Sequence, residues 1–433
     1  MKARFALRSR LCWSIAADTD THGVVYTPPP IVNFMVRSVE DILQKEFGKS
    51  LSSADVHILD PFVGTGNFIV HIMQAIKKTA LTQKYHKELH CNEVMLLPYY
   101  IASMNIEHEF YDLTGSYEVF EGICLVDTFE LAEVSQAALS FMTPENTARV
   151  ERQKRSPIRV IIGNPPYNVG QLNENDNNKN RKYKATDKRV NETYVSESKA
   201  QNNRALSDPY VKAIRWASDR IEDEGIVALV TNNSFVNDLA FDGMRKHLAA
   251  DYDSIYVLDL GGNVRRNPKL SGTTHNVFGI QVGVSVSLLV RRAGKELRNA
   301  KIFYASVDAF WRKEEKYLFL DERRDRSNIS WREIEPDKDN NWLTEGMHAG
   351  YEQFLSIGNK ETKDQSASSA IFSNYSRGVE TTRDAWLYNF SESALRENVE
   401  ASIDAYNEQL INGERRKERE RSWIHSCHMT GRD

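Results

Sequence analysis

From about residue 22 to about residue 292, short apolar runs rich in β-branched residues alternate with longer segments of helical period, and this alternation restricts the fold more than anything else in the chain. Val56–Asp60 (VHILD), Arg159–Asn164 (RVIIGN), Ile226–Asn232 (IVALVTN) and Ser254–Leu260 (SIYVLDL) read as strands, and each runs into polar residues. Between the first two, Ile69, Ile72, Met73 and Ile76 stand at i, i+3, i+4 and i+7, the stripe of a helix with one buried face. Strands alternating with helices predict an α/β fold: a doubly wound, Rossmann-like, mostly parallel sheet covered on both faces. Ligands of such sheets sit beyond the carboxyl ends of the strands, so the polar residues there are the functional candidates.

The first strand continues as ILDPFVGTGNFIV. Asp60 at its end can accept from an ammonium or a water. Pro61 leads into a turn where Gly64 and Gly66, flanking Thr65, allow backbone conformations that a Cβ would forbid. The following helix, opened by Asn67 and Phe68, presents free N–H groups and a positive dipole. The turn lacks the third glycine of a dinucleotide site and the Gly-Lys-Ser/Thr of a P-loop, which disfavours a phosphate cradle. Glu93 in LHCNEVMLLPYY suits bidentate bonds to ribose hydroxyls, although by itself it reads sooner as a surface residue capping the next helix. Asp127 in ICLVDTFEL can accept from an exocyclic amine. Upstream, Tyr26, Thr27 and Pro28 precede an apolar helix, where Thr27 also reads as a plain N-cap. The fourth cluster is VIIGNPPYNVG. Pro165 and Pro166 end the strand and stiffen the chain. They leave the Asn164 amide, backbone carbonyls and the Tyr167 ring at the sheet edge, parts suited to gripping a flat molecule that carries an amine.

A chain of 433 residues implies two or three domains, and its formal charge of −4 offers no whole-protein field for nucleic acid. Any such contact would come from local basic patches. Cys12, Cys91, Cys124 and Cys427 have neither zinc nor redox spacing and read as the reduced thiols of a cytoplasmic protein; no metal site is expected. The first twenty residues lack the apolar core of a signal peptide, and no run is long enough to span a membrane. Asn168–Arg204 is polar and nearly without apolar period. It is expected to be a solvated insertion, or a loop that closes over a large substrate and orders with it, its Lys179, Arg181, Lys182, Lys184, Lys188 and Arg189 with Tyr183 suiting phosphate contact. After Arg292 the texture becomes charged, a new segment starts near Ile371, and the last residues read as a charged, solvated helix end.

Taken together, Tyr-Thr-Pro, Asp-Pro-Phe-Val-Gly-Thr-Gly, two acids and Asn-Pro-Pro-Tyr in that order resemble the S-adenosylmethionine-dependent amino-methyltransferases of DNA. The chain is most similar to the methyltransferase region of the single-chain type ISP restriction-modification enzymes, through NEVMLLPYYIASMNIE, DPYVKAIRWASDRI, LDLGGNVRRNP, HNVFGIQVGV and SRGVETTRDAW. The resemblance covers about residue 22 to about residue 410. It implies adenine-N6 methylation of double-stranded DNA. Asn164 and the Pro165 carbonyl would accept from the amine, Pro166 would fix the turn and Tyr167 would stack on the flipped base. Asp60 and Pro61–Gly66 would take the methionine moiety of the cofactor, Glu93 its ribose and Asp127 its adenine, with Tyr26, Thr27, Pro28, Asn67 and Phe68 alongside.

The same resemblance divides the chain into an unmatched segment 1–21, a methyltransferase domain 22–292 containing the insertion 168–204, and a connecting segment 293–365. The remainder, 366–433, would be the start of an incomplete α+β or helical recognition domain, with Arg377, Thr381 and Arg383 in its matching part. Members of that family also carry a nuclease and an ATP-driven helicase. No Walker-type loop occurs here, so a partner in cis or in trans would supply those activities, and the chain alone would bind DNA weakly. Competing readings are a non-catalytic remnant or subunit, a protein-glutamine methyltransferase, and a cytosine-amine methyltransferase, whose site more often begins with Ser.

Overall fold

The computed structural model describes residues 27–132, 143–166, 182–200, 202–264, 274–294 and 299–343, with positions 267 and 270. Towards the C terminus it describes 354–355, 357–358, 370–372 and 387–429. The chain divides into two units, Met1–Glu345 and Gly346–Asp433.

In the first unit, α1 (Pro29–Phe47) precedes β1 (His57–Asp60), α2 (Asn67–Ala75), α3 (Lys78–Lys87), β2 (Leu89–Glu93), α4 (Leu96–Thr114) and β3 (Ile123–Leu125). There follow α5 (Pro144–Arg155), β4 (Ile158–Gly163), α6 (Lys184–Val190), α7 (Pro209–Arg220), β5 (Gly225–Asn232), α8 (Asp242–Asp251) and β6 (Ser254–Gly261). The unit closes with β7 (Val284–Arg291), β8 (Lys301–Ser306), α9 (Lys313–Arg323) and β9 (Arg332–Ile334). The strands form a nine-stranded sheet of order β3-β2-β1-β4-β5-β7-β6-β8-β9. All neighbours from β3 to β5 are parallel, β7 lies antiparallel between β5 and β6, β8 is parallel to β6, and β9 is antiparallel to β8. This is the expected doubly wound α/β fold. The order reverses between β1 and β4, which opens the ligand crevice above their carboxyl ends.

The unbroken apolar runs of the central strands follow from burial on both faces. Ile58, Val160, Ile162, Ile226 and Ala228 face one core with α1, α2 and α4. The alternating Leu59, Ile161, Val227 and Leu229 face the other, under α7 and α8. A period of two places successive side chains on opposite faces, so both sets must be apolar.

Two expectations change. Residues 293–365 do not simply connect: β8 and β9 extend the sheet, and Leu320 of α9 joins the first core. Arg326 fastens this part to α1, with its backbone N–H on Ser38 Oγ at 2.9 Å and its guanidinium 2.9 Å from Asp41. The charged texture that reads as a linker belongs to the exposed faces of these elements. The insertion is also not wholly solvated. Tyr183, Val190 and Tyr194 are buried in the second core, carried by α6 and one π-helical turn at Asn191–Val195. Sparse apolar residues escape a periodicity search when each is an isolated anchor. Residues 167–181 lie outside the described part.

In the second unit α10 (Glu392–Met429) is a helix of 38 residues, in line with a helical C-terminal segment. Arg377, Thr381 and Arg383 lie outside the described residues. Among the described residues no helix is long and apolar enough to cross a membrane, and no group of three or more His, Cys, Asp or Glu is placed to hold a metal ion.

Candidate active site

β1 and β4 are neighbours, so their carboxyl ends bring Asp60 and the pair Gly163–Asn164 together. Asp60 is fully buried. Its Oδ1 accepts the Phe62 N–H at 3.0 Å, while Oδ2 has no partner among the described residues. Burial pushes the carboxyl up to about 8; Glu93 adds to the rise and the Phe62 N–H opposes it. Gly163 makes the arrangement possible. A Cβ at this position would stand 2.6 Å from Asp60 Oδ1. Sequence reading passed over this glycine, although it directly precedes the Asn-Pro-Pro-Tyr cluster.

Asn164 donates from Nδ2 to Thr27 Oγ1 at 3.2 Å, and its buried Oδ1 has no partner among the described residues. Thr27 is itself buried, and its carbonyl accepts from Asn67 Nδ2 at 2.7 Å. Thr27 is therefore not the N-cap of α1: that position is Pro28, and no side chain caps the helix. The Thr27 hydroxyl instead orients the Asn164 amide, leaving the amide oxygen as a free acceptor. Pro165 is buried and Pro166 exposed; Tyr26 and Tyr167 fall outside the described residues.

The turn after β1 is held from two sides. Val63 N–H donates to Asn92 O at 2.9 Å, and Gly64 N–H to Glu93 Oε2 at 2.9 Å. Glu93 Oε1 accepts from Met95 N–H at 2.8 Å. Thr128 Oγ1 donates to the Pro61 carbonyl, and Asn105 Nδ2 to the Thr65 carbonyl at 2.9 Å. Gly66 has a φ of +90°, and a Cβ there would lie 3.3 Å from Ala102 Cα of α4. It is needed for helix packing as well as for the turn. Burial raises the Glu93 pKa, against the pull of the Met95 and Gly64 amides. Each oxygen of a carboxylate can take a second donor, so Glu93 keeps acceptor capacity beyond its backbone bonds. Phe68, by contrast, points into the first core.

Asp127 is engaged at both oxygens. Oδ1 accepts from Phe129 N–H at 3.0 Å and Oδ2 from the Tyr183 hydroxyl at 2.8 Å. Sequence reading takes Tyr183 with its basic neighbours for phosphate contact, whereas the ring is buried in the second core and its hydroxyl bonds Asp127. One sheet edge thus assembles Thr27, Pro28, Asp60, Pro61, Gly64, Thr65, Gly66, Asn67, Glu93, Asp127, Asn164, Pro165 and Pro166. A buried carboxylate oxygen without a donor fits a cation, and two further carboxylates at neighbouring strand ends fit hydroxyls and an amine.

A family model described as N-6 DNA Methylase matches residues 14–236, more than half of the 433 residues. The chain belongs to this methyltransferase family. A second model, the Type ISP C-terminal specificity domain, matches residues 370–432. Among solved structures, the chain is 42% identical to the protein of a DrdV–DNA complex, with a TM-score of 0.81, covering 91% of this chain and 38% of that one. It is 37% identical to LlaBIII, an ATP-dependent Type ISP restriction-modification enzyme bound to DNA, with a TM-score of 0.80 over 90% of this chain and 26% of that one. For a nuclease-deletion mutant of the Type ISP enzyme LlaGI in complex with a DNA substrate mimic, the values are 36%, 0.80, 91% and 32%. The chain spans between 26% and 38% of the length of these relatives.

Proposed function

We propose that this methylase-family chain transfers a methyl group from S-adenosylmethionine to the N6 amine of adenine in double-stranded DNA, as the modification module of a restriction-modification system. The observation that carries the reading is the buried Oδ1 of Asn164, which has no partner among the described residues and belongs to an amide held by Thr27 one residue past Gly163, the position packed on Asp60. An adenine amine is a weak nucleophile because its lone pair is delocalised into the ring. Asn164 Oδ1 and the Pro165 carbonyl each accept one of its N–H groups, which lets the nitrogen pyramidalise and turn its lone pair outward. The cofactor, when bound, supplies an electrophilic sulfonium methyl. The chain's own contribution is positioning and electrostatics. Asp60 holds the cofactor's ammonium against the turn Pro61–Gly66, Glu93 takes the ribose hydroxyls and Asp127 the adenine amine. Tyr26, Thr27 and Pro28 close the methionine side together with Asn67.

The target base must leave the duplex, at a cost of a few kcal/mol. Stacking on Tyr167 would offset about 1–3 kcal/mol of it. The match of residues 370–432 to a specificity domain supports DNA over a protein amide as substrate. One relative is ATP-dependent and another was studied as a nuclease-deletion mutant, which supports a cleavage and translocation component in cis or in trans. Tritium transfer from labelled cofactor to duplex DNA, with a glutamine-containing peptide as control, tests the reading. Asn164→Ala should abolish transfer to DNA while leaving cofactor affinity within about twofold, since the lost bond of about 1 kcal/mol is made to the base. Transfer to the peptide alone, or wild-type turnover by Asn164→Ala, would overturn it.

A further inference from the structure

Tyr183 reaches the cofactor side of the crevice from a segment that the sequence reads as solvent. It is 9% exposed. Its backbone N–H donates to Asp187 Oδ2 at 3.0 Å, at the start of α6. Asp187 is bridged at 2.6 Å by Lys212, whose Nζ stands 5.3 Å from the centre of the Tyr183 ring. On its other contacts the ring packs against Phe129 at 5.0 Å, and Phe129 against Phe62 of the turn after β1 at 5.5 Å. The tip of the side chain donates to Asp127 Oδ2. Backbone, ring and hydroxyl are thus each fixed by a separate partner, and the fixed hydroxyl is spent on one carboxylate.

We infer that Tyr183 is a positioning residue for the cofactor's purine, holding the Asp127 carboxylate so that the site prefers a 6-amino over a 6-oxo purine. This rests on the reading above in which Asp127 receives the adenine amine. The physical reason is rotational. The Phe129 N–H fixes Oδ1, and the Tyr183 hydroxyl fixes Oδ2, so the plane of the carboxylate is set before any ligand arrives. An ionised carboxylate is an acceptor only. Held in place, it accepts from an exocyclic amine and repels a carbonyl oxygen at the same position. The single Tyr183 proton is already committed to Asp127, so it is not offered to a 6-oxo group. Without the hydroxyl the carboxylate can turn about its Cβ–Cγ bond, and both the attraction and the repulsion weaken.

Calorimetry on the full chain, with S-adenosylhomocysteine and its 6-oxo counterpart S-inosylhomocysteine as probes, reads this as a ratio of affinities. The wild type should favour the amine by about 10- to 100-fold, the value of a hydrogen bond to a charged group. Tyr183→Phe keeps the ring and should lower the ratio by about fivefold, less than the full value of a hydrogen bond to a charged group because the Phe129 N–H still holds Oδ1. Asp127→Asn should bring it close to one. Lys212→Met, which leaves the hydroxyl in place, should keep the wild-type ratio. A merely structural role for Tyr183 would weaken both ligands equally and leave the ratio alone. If Tyr183→Phe retains the wild-type ratio while Asp127→Asn loses it, the inference about Tyr183 is wrong and the role of Asp127 stands. If Asp127→Asn also retains it, the assignment of Asp127 to the purine falls first.

Discussion

Cofactor binding at neutral pH should expel close to one proton from the protein, and Asp60 should be its source. The carboxyl lies fully buried with one oxygen unpartnered among the described residues, and its pKa is raised from 3.8 to about 8. At about 1.36 kcal/mol per unit, charging it in the free protein costs roughly 6 kcal/mol more than charging an aspartate in water. At pH 7 it is therefore about nine-tenths protonated. An ammonium arriving at Oδ2 favours the carboxylate and drives that proton off. The cofactor's α-amine, with an ordinary pKa of about 7.8, takes up about 0.1 proton at the same pH, which leaves a net release of about 0.8. Calorimetric titrations in phosphate and in Tris, whose ionisation heats differ widely, give the number directly. Release should fade above pH 9, where Asp60 is already ionised.

The same shift acts on stability. Between about pH 4 and pH 8 the native state holds a proton that the unfolded chain has lost, so stability of the free protein falls as pH rises through this window. Asp60→Asn mimics the neutral acid. It should flatten that slope and weaken cofactor binding about 10- to 100-fold, the range for a lost hydrogen bond to a charged group. Proton release near zero in both buffers, or full cofactor affinity in Asp60→Asn, would refute the reasoning.

Further outcomes follow from the same packing. Gly163→Ala places a methyl against Asp60 Oδ1 and should weaken cofactor binding at least tenfold while costing about 1–3 kcal/mol in urea melts; unchanged affinity would show that the Asp60 position is not critical. Gly66→Ala, at a φ of +90° and against Ala102, should cost about 1–3 kcal/mol of stability by the same assay, and a neutral result would contradict the tight contact between the turn and α4. Tyr194→Phe removes a buried hydroxyl that has no partner among the described residues and should be neutral or stabilising by up to about 1 kcal/mol in a thermal melt; a marked loss would reveal a bond to that oxygen. In hydrogen exchange without DNA, amides of 187–195 should be protected, because they close the turns that bury Val190 and Tyr194; fast exchange there would restore a solvated insertion.

The sequence by itself determined the strands and their polar ends. Each of the four runs read as strands is a strand, the helix carrying Ile69, Ile72 and Met73 packs by that stripe, and Asp60, Glu93, Asp127 and Asn164 share one sheet edge. These features are local: a period of two or of 3.6 and the residue where it stops are visible within a dozen positions. Contacts between distant segments were settled by the tertiary structure alone. Thr27 and Asn164 are 137 positions apart, and the Thr27 hydroxyl becomes a partner of the amide because Asn67, just past β1, holds the Thr27 carbonyl while β4 lies beside β1. Tyr183 meets Asp127 across 56 positions, from a segment too poor in apolar residues to show any period. The absent side chain of Gly163 matters because a carboxylate from another strand occupies its place. Charged residues past Arg292 read as a linker because β8, α9 and β9 keep their polar faces outward, while a few residues such as Ile302, Leu320 and Arg326 do the docking. A few buried anchors leave no period in the sequence, and their partners become apparent only when the sheet brings distant segments together.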